Sequence, residues 1–334
     1  MTNRKKKITF IVNPISGTQG KEQILKLISE RLDLEIYDYE VIKTEYAGHA
    51  IVIANECAER KDDAVIAIGG DGTVNEIARS LVHTQTALGI IPCGSGNGLA
   101  RHLHISTNAR KAIDILNQGH IETIDYGKIN GQLFFCTCGV GFDAFISLKF
   151  AESGKRGPFS YVEQTLRENL SYKPETYELD IEGNTEHYQA FVIACGNAAQ
   201  YGNNAFIAPS ASLTDGLLDI TVLLPFTLLD IPSLTFQLFN KTIDQNSHIK
   251  TFRCKSLHIH REKPGVAHYD GDPIMMGEDI YVNIVPAGLR VITPEEPESP
   301  EHDENMLERT QEVVLNGIKQ LNDEFFEGIR KLNR

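Results

Sequence analysis

The chain of 334 residues is poor in positive charge. Its 32 lysines and arginines stand against 45 aspartates and glutamates, a net charge of −13, which excludes a general nucleic-acid binder because phosphates would be repelled rather than neutralised. No apolar run reaches the roughly 18 residues of a membrane span, so no transmembrane segment is expected. The opening MTNRKKKITFIVNP holds only a short apolar stretch, ITFIV. That stretch reads as a strand, not a signal peptide, and a cytoplasmic protein is expected. Cysteine is sparse as well: positions 57, 93, 136, 138, 195 and 254 are scattered in mostly apolar contexts and read as buried free thiols. The one close pair, Cys136 and Cys138, lacks further ligands at zinc spacing. His102 and His104 are expected on opposite sides of a helix, which argues against a metal pair. No internal repeat is visible. What is present is a 41% apolar composition, enough to exclude disorder throughout and to build a proper core.

The first 122 residues alternate in type. ITFIVN (8–13), YDYEVIKT (37–44), DAVIAIGG (63–70) and LGIIPCG (88–94) read as strands, separated by helical patterns that include 49–60, 74–82 and 110–119. This order predicts an α/β domain with a parallel sheet and helices on its faces. Across 123–293, short strands dominate, among them ETIDYGKI, QLFFCTCGV, TYELDIE, YQAFVIACG, LLDITVLL, SLHIHRE and DIYVNIV, with helical insertions near 158–171 and 227–240. They predict a mostly antiparallel β-rich sandwich. An acidic, proline-rich linker (294–304) and an amphipathic helix (305–334) close the chain. That helix is expected to pack on its own protein or on a sister subunit, as in a homo-dimer.

Three glycine-rich turns follow strands of the first domain: Asn13-Pro14-Ile15-Ser16-Gly17, Gly69-Gly70-Asp71-Gly72-Thr73 and Gly94-Ser95-Gly96-Asn97-Gly98. At the carboxyl ends of parallel strands, glycines let backbone amides approach phosphate oxygens, and a following helix N-terminus favours negative charge. Three such turns in one domain point to a nucleotide-phosphate site. It is neither a P-loop nor a Rossmann fingerprint, since no GxxxxGK[ST] occurs and both Gly70-Asp71-Gly72-Thr73-Val74-Asn75 and Gly94-Ser95-Gly96-Asn97-Gly98-Leu99 miss the final glycine.

Residues 8–293 resemble the diacylglycerol kinase catalytic domain family, which includes bacterial soluble lipid kinases, sphingosine kinases and ceramide kinases. The resemblance rests on GGDGTVNE (69–76), NPISG (13–17), Thr44 to Ala50, DYGKINGQLFFCTCGVGFDA (125–144), APSASLTDGLLD (208–219) and YDGDP (269–273), in that order. It implies an ATP site between the two domains, formed by Asn13, Pro14, Ile15, Ser16, Gly17, Thr44, Gly70, Asp71, Gly72, Thr73, Val74, Asn75 and Glu76, and by Gly94, Ser95, Gly96 and Asn97. It implies a structural Mg²⁺ site at Ser212, Asp215 and the Leu217 carbonyl, although Ser212 stands where another residue is common. The family's Asp-Gly-Glu motif falls on Asp270-Gly271-Asp272, with the shorter Asp272 where the general base is usually Glu.

Phosphoryl transfer is mostly positioning and charge neutralisation. Asp71 is placed to hold Mg²⁺ directly or through water. A second carboxylate must orient and deprotonate the attacking hydroxyl: Asp272 is the first choice and Asp71 the runner-up. Alone, Asp270-Gly271-Asp272-Pro273 would read as a simple surface turn. The resemblance implies an ATP- and Mg²⁺-dependent lipid kinase acting on diacylglycerol or a sphingoid base. Its apolar pocket is expected in the β-rich domain, and its association with the membrane surface is expected to be transient. Two rivals remain: a soluble-metabolite kinase of the NAD kinase type, and a nucleotide-binding regulatory protein without catalysis, which the Asp at 272 would favour.

Overall fold

The computed structural model describes residues 4–15, 20–153, 172–227 and 229–295. The helix expected near 158–171, the helix of 305–334 and all but the first two residues of the linker lie outside the described residues, as do Ser16 and Gly17. Among the described residues, no helix is long and apolar enough to cross a membrane.

The first half alternates β1 (Lys6–Val12), α1 (Lys21–Arg31), β2 (Tyr37–Lys43), α2 (His49–Glu59), β3 (Ala64–Gly69), α3 (Asp71–Leu81), β4 (Ala87–Pro92), α4 (Gly98–His102) and α5 (Ala109–Gln118). Strands β2-β1-β3-β4 pair in parallel. β3 and β4 are buried along their whole length, as a strand covered by helices on both faces must be. Burying side chains such as Ile66, Ile68 and Ile91 completely contributes about 1.5–3 kcal/mol each. α3 starts three residues earlier than its apolar pattern suggests, so Asp71 lies in its first turn.

The second half contains β5 (Ile121–Ile129), β6 (Gln132–Phe134), β7 (Thr137–Gly141), α6 (Phe142–Ser153), β8 (Glu175–Ile181), β9 (Asn184–Ala190), β10 (Val192–Gly196), β11 (Leu218–Leu223), α7 (Ile231–Phe239), β12 (Ile249–Cys254), β13 (Ser256–Arg261), β14 (Gly265–Tyr269), β15 (Asp272–Met276) and β16 (Asp279–Ile292). One sheet has the order β12-β11-β10-β7-β14-β15. The other extends the parallel sheet through β16-β13-β8-β9, with β5 and β6 alongside. Side chains from both sheets, among them Val140, Ile193, Ile220, Leu179, Ile259 and Ile280, fill the space between them, which makes this half a β sandwich. β16 serves both halves, pairing in parallel with β4 at Val291↔Leu88 and antiparallel with β5 and β13.

Two expected single strands are each two. QLFFCTCGV divides into β6 and β7, and YQAFVIACG into β9 and β10, so that each segment passes from one sheet to the other. α4 ends at His102 and His104 has a positive φ of 57°. The two histidines are therefore not on opposite sides of one helix. All six cysteines are free and buried.

Candidate active site

Ligands of open α/β sheets bind beyond the carboxyl ends of the strands, where the described parts of the three glycine-rich turns lie. Asn13 fastens the first turn to the second: its backbone N–H donates to the Ile68 carbonyl (3.2 Å) and its Nδ2 to Thr73 Oγ1 (3.1 Å). Its Oδ1 accepts from the Ile15 amide at 3.2 Å. Pro14 and Ile15 are exposed, with Ile15 75% accessible. The Thr44 amide donates to the Val12 carbonyl at 2.9 Å, beside the first turn. Glu76 accepts from the Gly48 amide at 3.3 Å. Thr73, Val74 and Asn75 are buried in the first turns of α3, while Gly72 and Ser95 face solvent.

The second and third turns pack backbone against backbone. A Cβ on Gly94 would lie 2.7 Å from Gly70 Cα, and one on Gly96 would lie 2.7 Å from Asp71 Oδ2. Only glycine permits either approach. In return, the third turn grips Asp71: Oδ2 accepts from the Asn97 amide (2.8 Å) and Oδ1 from the Gly98 amide (2.7 Å). The Asn97 side chain closes its own turn on the amide and carbonyl of Gly94. Burial raises the pKa of the Asp71 carboxyl, and the two amides oppose that rise.

Lys21 is a residue that the sequence reading missed. Its ammonium nitrogen is buried and lies against the Cys93 thiol at the end of β4, whose pKa it pulls down against the rise that burial causes. A neutral thiol compensates a buried ammonium poorly, and a phosphate oxygen would suit this position better. The signal was a lysine four residues after Gly17, passed over because the segment is not a P-loop. Lys21→Ala is expected to weaken ATP binding by about tenfold or more, the scale of one charge-assisted hydrogen bond, as read by titration with a fluorescent ATP analogue.

The second half presents a hairpin to these turns. Asp270 (φ 49°) and Gly271 (φ 86°) form the two-residue turn between β14 and β15, the conformation that Asp-Gly favours. Asp270 was expected among the catalytic acids. Its Oδ2 accepts from the Phe135 amide (2.8 Å), and its Oδ1 from the Cys136 (2.7 Å) and Thr137 (3.1 Å) amides. These three bonds bend the chain between β6 and β7 and make Asp270 an anchor. Burial pushes its carboxyl up to about 6 against the pull of the three amides. Cys136 lies between the halves: burial, then Asp270 and Asp71, push its thiol well above the ordinary range, and a Cβ on Gly98 would lie 3.4 Å from its Sγ. Asp272 opens β15 with a side chain 59% exposed, 3.9 Å from the Arg79 guanidinium, which itself lies 4.9 Å over the Tyr269 ring. Partial burial raises the Asp272 pKa, while Arg79 and His268 pull it down.

Ser212, Asp215 and Leu217 share one turn. The Leu217 amide donates to Asp215 Oδ1 at 3.0 Å. The other Asp215 oxygen is ion-paired with Arg253, which also reaches Asp219 at 3.3 Å. Ser212 Oγ accepts from the Thr214 amide at 3.4 Å. Among the described residues, no group of three His, Cys, Asp or Glu side chains is placed to hold a metal. The guanidinium already supplies the positive charge at this turn, so these donors do not fit a bound Mg²⁺ as they are arranged.

Beyond the far end of β7 from Asp270, Phe142, Phe191 and Phe226 form an apolar cluster, with ring centroids 4.5 Å (Phe142–Phe191) and 4.7 Å (Phe191–Phe226) apart. Tyr172 joins at 5.3 Å from Phe142.

Comparison with known proteins places these features in a family. Residues 7–129 match the diacylglycerol kinase catalytic domain, and residues 137–293 match the YegS C-terminal NAD kinase beta sandwich-like domain. A diacylglycerol kinase of Mycobacterium tuberculosis is 30% identical over 296 residues, covering 86% of this chain and 95% of the relative. A diacylglycerol kinase of Bacillus subtilis is 26% identical over 296 residues, covering 87% and 97%. The crystal structure of a diacylglycerol kinase from Bacillus anthracis shares the fold, with a TM-score of 0.68 at 21% identity over 88% of this chain and 99% of that one. An Archaeoglobus fulgidus NAD kinase in complex with ATP shares it more distantly, with a TM-score of 0.50 at 13% identity over 87% and 95%. The chain belongs to the diacylglycerol kinase family.

Proposed function

We propose that this kinase transfers the γ-phosphoryl group of ATP to the hydroxyl of a membrane lipid, either diacylglycerol or a sphingoid base. The observation that carries this reading is the meeting of Asp71 and the Asp270–Asp272 hairpin on either side of Cys136, at the ends of the parallel strands. Amides of the three turns and the Lys21 ammonium hold the phosphates. Mg²⁺, if bound, would supply charge neutralisation, and Asp71, whose two oxygens accept the Asn97 and Gly98 amides, would be the residue to hold it. Asp272 takes the hydroxyl proton as the lipid oxygen attacks the γ-phosphorus and ADP leaves. The Phe142–Phe191–Phe226 cluster offers an apolar wall for acyl chains, and the protein collects its acceptor at a membrane surface.

Radiolabelled ATP offered with diacylglycerol, sphingosine, ceramide and NAD tests the reading. Label in a lipid is expected. No label in any lipid while ATP still binds overturns it, and label in NAD alone assigns a soluble acceptor instead. Asp272→Asn is expected to lower kcat by about 10²–10⁴-fold, the usual worth of a general base, with ATP affinity unchanged. Wild-type turnover in that variant rejects Asp272 as the base. Asp272→Glu, which restores the family's residue, is expected to keep turnover.

A further inference from the structure

A second cleft lies outside the catalytic one. Because α4 stops at His102, both His102 and His104 line it, together with Arg101 and Ser106; Phe206 and Lys241 line the opposite wall. Its volume is about 230 Å³, several times the roughly 30 Å³ share of a water molecule and wide enough for a tetrahedral phosphate.

The lining is one-sided in charge. His104 and Lys241 bring protonatable or cationic groups, Arg101 being already opposed by the Asp71 carboxylate, and no carboxylate is among the described residues of the wall, although the chain as a whole carries −13. Crowding like charges costs Coulomb energy, and a bound anion removes that cost. The donors are held in place. Lys241 Nζ sits 4.4 Å over the Phe206 ring. The Ala199 amide donates to His102 Nδ1 at 3.0 Å, so the ring proton is on Nε2. Burial, with His104 and Lys241 close by, pushes His102 down to about 4, which keeps it a neutral donor at physiological pH. Arg101 Nε donates to the Gly96 carbonyl at 3.1 Å, and the Asn203 amide donates to the same carbonyl at 3.2 Å. Arg101 therefore ties the cleft to the turn that grips Asp71.

We propose that this cleft is a second anion site that takes a phosphate group, distinct from the nucleotide's phosphate site and built against the back of the third glycine turn. The chemistry is that of a phosphate mono- or diester, supplied by free phosphate or by an anionic lipid headgroup. It does not depend on which acceptor the kinase uses.

His104 and Lys241 are exposed, so the full-length H104A/K241A variant is expected to fold. Lys250 and Lys255, also exposed and outside the cleft, give K250A/K255A as a charge-matched control. One arm measures the rise in Tm with inorganic phosphate at constant ionic strength. The other measures flotation with phosphatidylcholine vesicles containing phosphatidylglycerol. H104A/K241A is expected to need about tenfold more phosphate, or to lose vesicle binding to a similar degree, while the control matches wild type. Loss in the phosphate arm assigns a soluble ligand, and loss in the vesicle arm alone assigns a headgroup. Equal behaviour of H104A/K241A and wild type in both arms, or an equal loss in the control, overturns the site. Neither arm reads turnover, so a failure here leaves the kinase reading untouched.

Discussion

Asp71→Asn is expected to lower kcat/KM for ATP by about 10³-fold, the upper end of what one preorganised electrostatic group contributes. The carboxylate accepts one amide on each oxygen. An asparagine has a single acceptor oxygen, so its NH₂ would face the amide of either Asn97 or Gly98, donor against donor. One buried donor left without a partner costs about 1–3 kcal/mol, and each kcal/mol lowers Tm by roughly 2–4 °C in a domain of this size. The substitution also removes the negative charge that the proposed Mg²⁺ would need. Asp71→Glu cannot repair the loss, because Gly96 already packs so closely that a single methyl group there would collide with Asp71. Steady-state kinetics and a thermal scan on both variants check this. Wild-type kcat/KM in Asp71→Asn would sink the assignment of Asp71 to the catalytic centre.

How much of this was legible in the sequence depended on whether a feature was local. The four parallel strands came out within two residues and their helices within three, the start of α3 being the largest miss, because a strand–helix alternation writes its own period into the chain. The glycine turns were legible for a similar reason: a backbone that must pass another at van der Waals distance tolerates no Cβ, as Gly94 against Gly70 shows. The divisions of 132–141 and 184–196 were not legible. Phe135 and Phe191 are buried like the strand residues on either side, and what bends the chain at the first of them is Asp270, 135 residues away. Strands β12, β14 and β15 went unseen because pairing decides them more than composition does. Asp270-Gly271-Asp272 could be read as a turn or as chemistry; the structure shows a hairpin turn whose first Asp is tied to the amides of 135–137 and whose second is half-exposed beside Arg79. Lys21, His102 and His104 gained meaning only from what stands across from them in space.

Asp270→Asn is expected to abolish a pH dependence of stability that the wild-type protein owes to this one carboxyl. Its pKa in the folded state is raised from 3.8 to about 6, so between those values the folded protein holds a proton that the unfolded chain has released. Stability from this group is therefore greatest near pH 4, falls as the pH rises, and levels off above about pH 6 to 7. At 1.36 kcal/mol per pKa unit, the loss across the window is about 3 kcal/mol. Asparagine does not titrate, so the margin by which wild type exceeds Asp270→Asn should shrink by about that amount between pH 4 and pH 7. Urea unfolding of both proteins at four pH values measures it, and two curves that stay parallel would rule out the raised pKa. Asp270→Ala goes further, because it strips the acceptor from the buried amides of Phe135, Cys136 and Thr137 together. At about 1–3 kcal/mol for each orphaned donor, it should be the most destabilising single substitution at the site. Turnover should fall with stability, since the same three bonds hold the turn that carries Asp272, the proposed base.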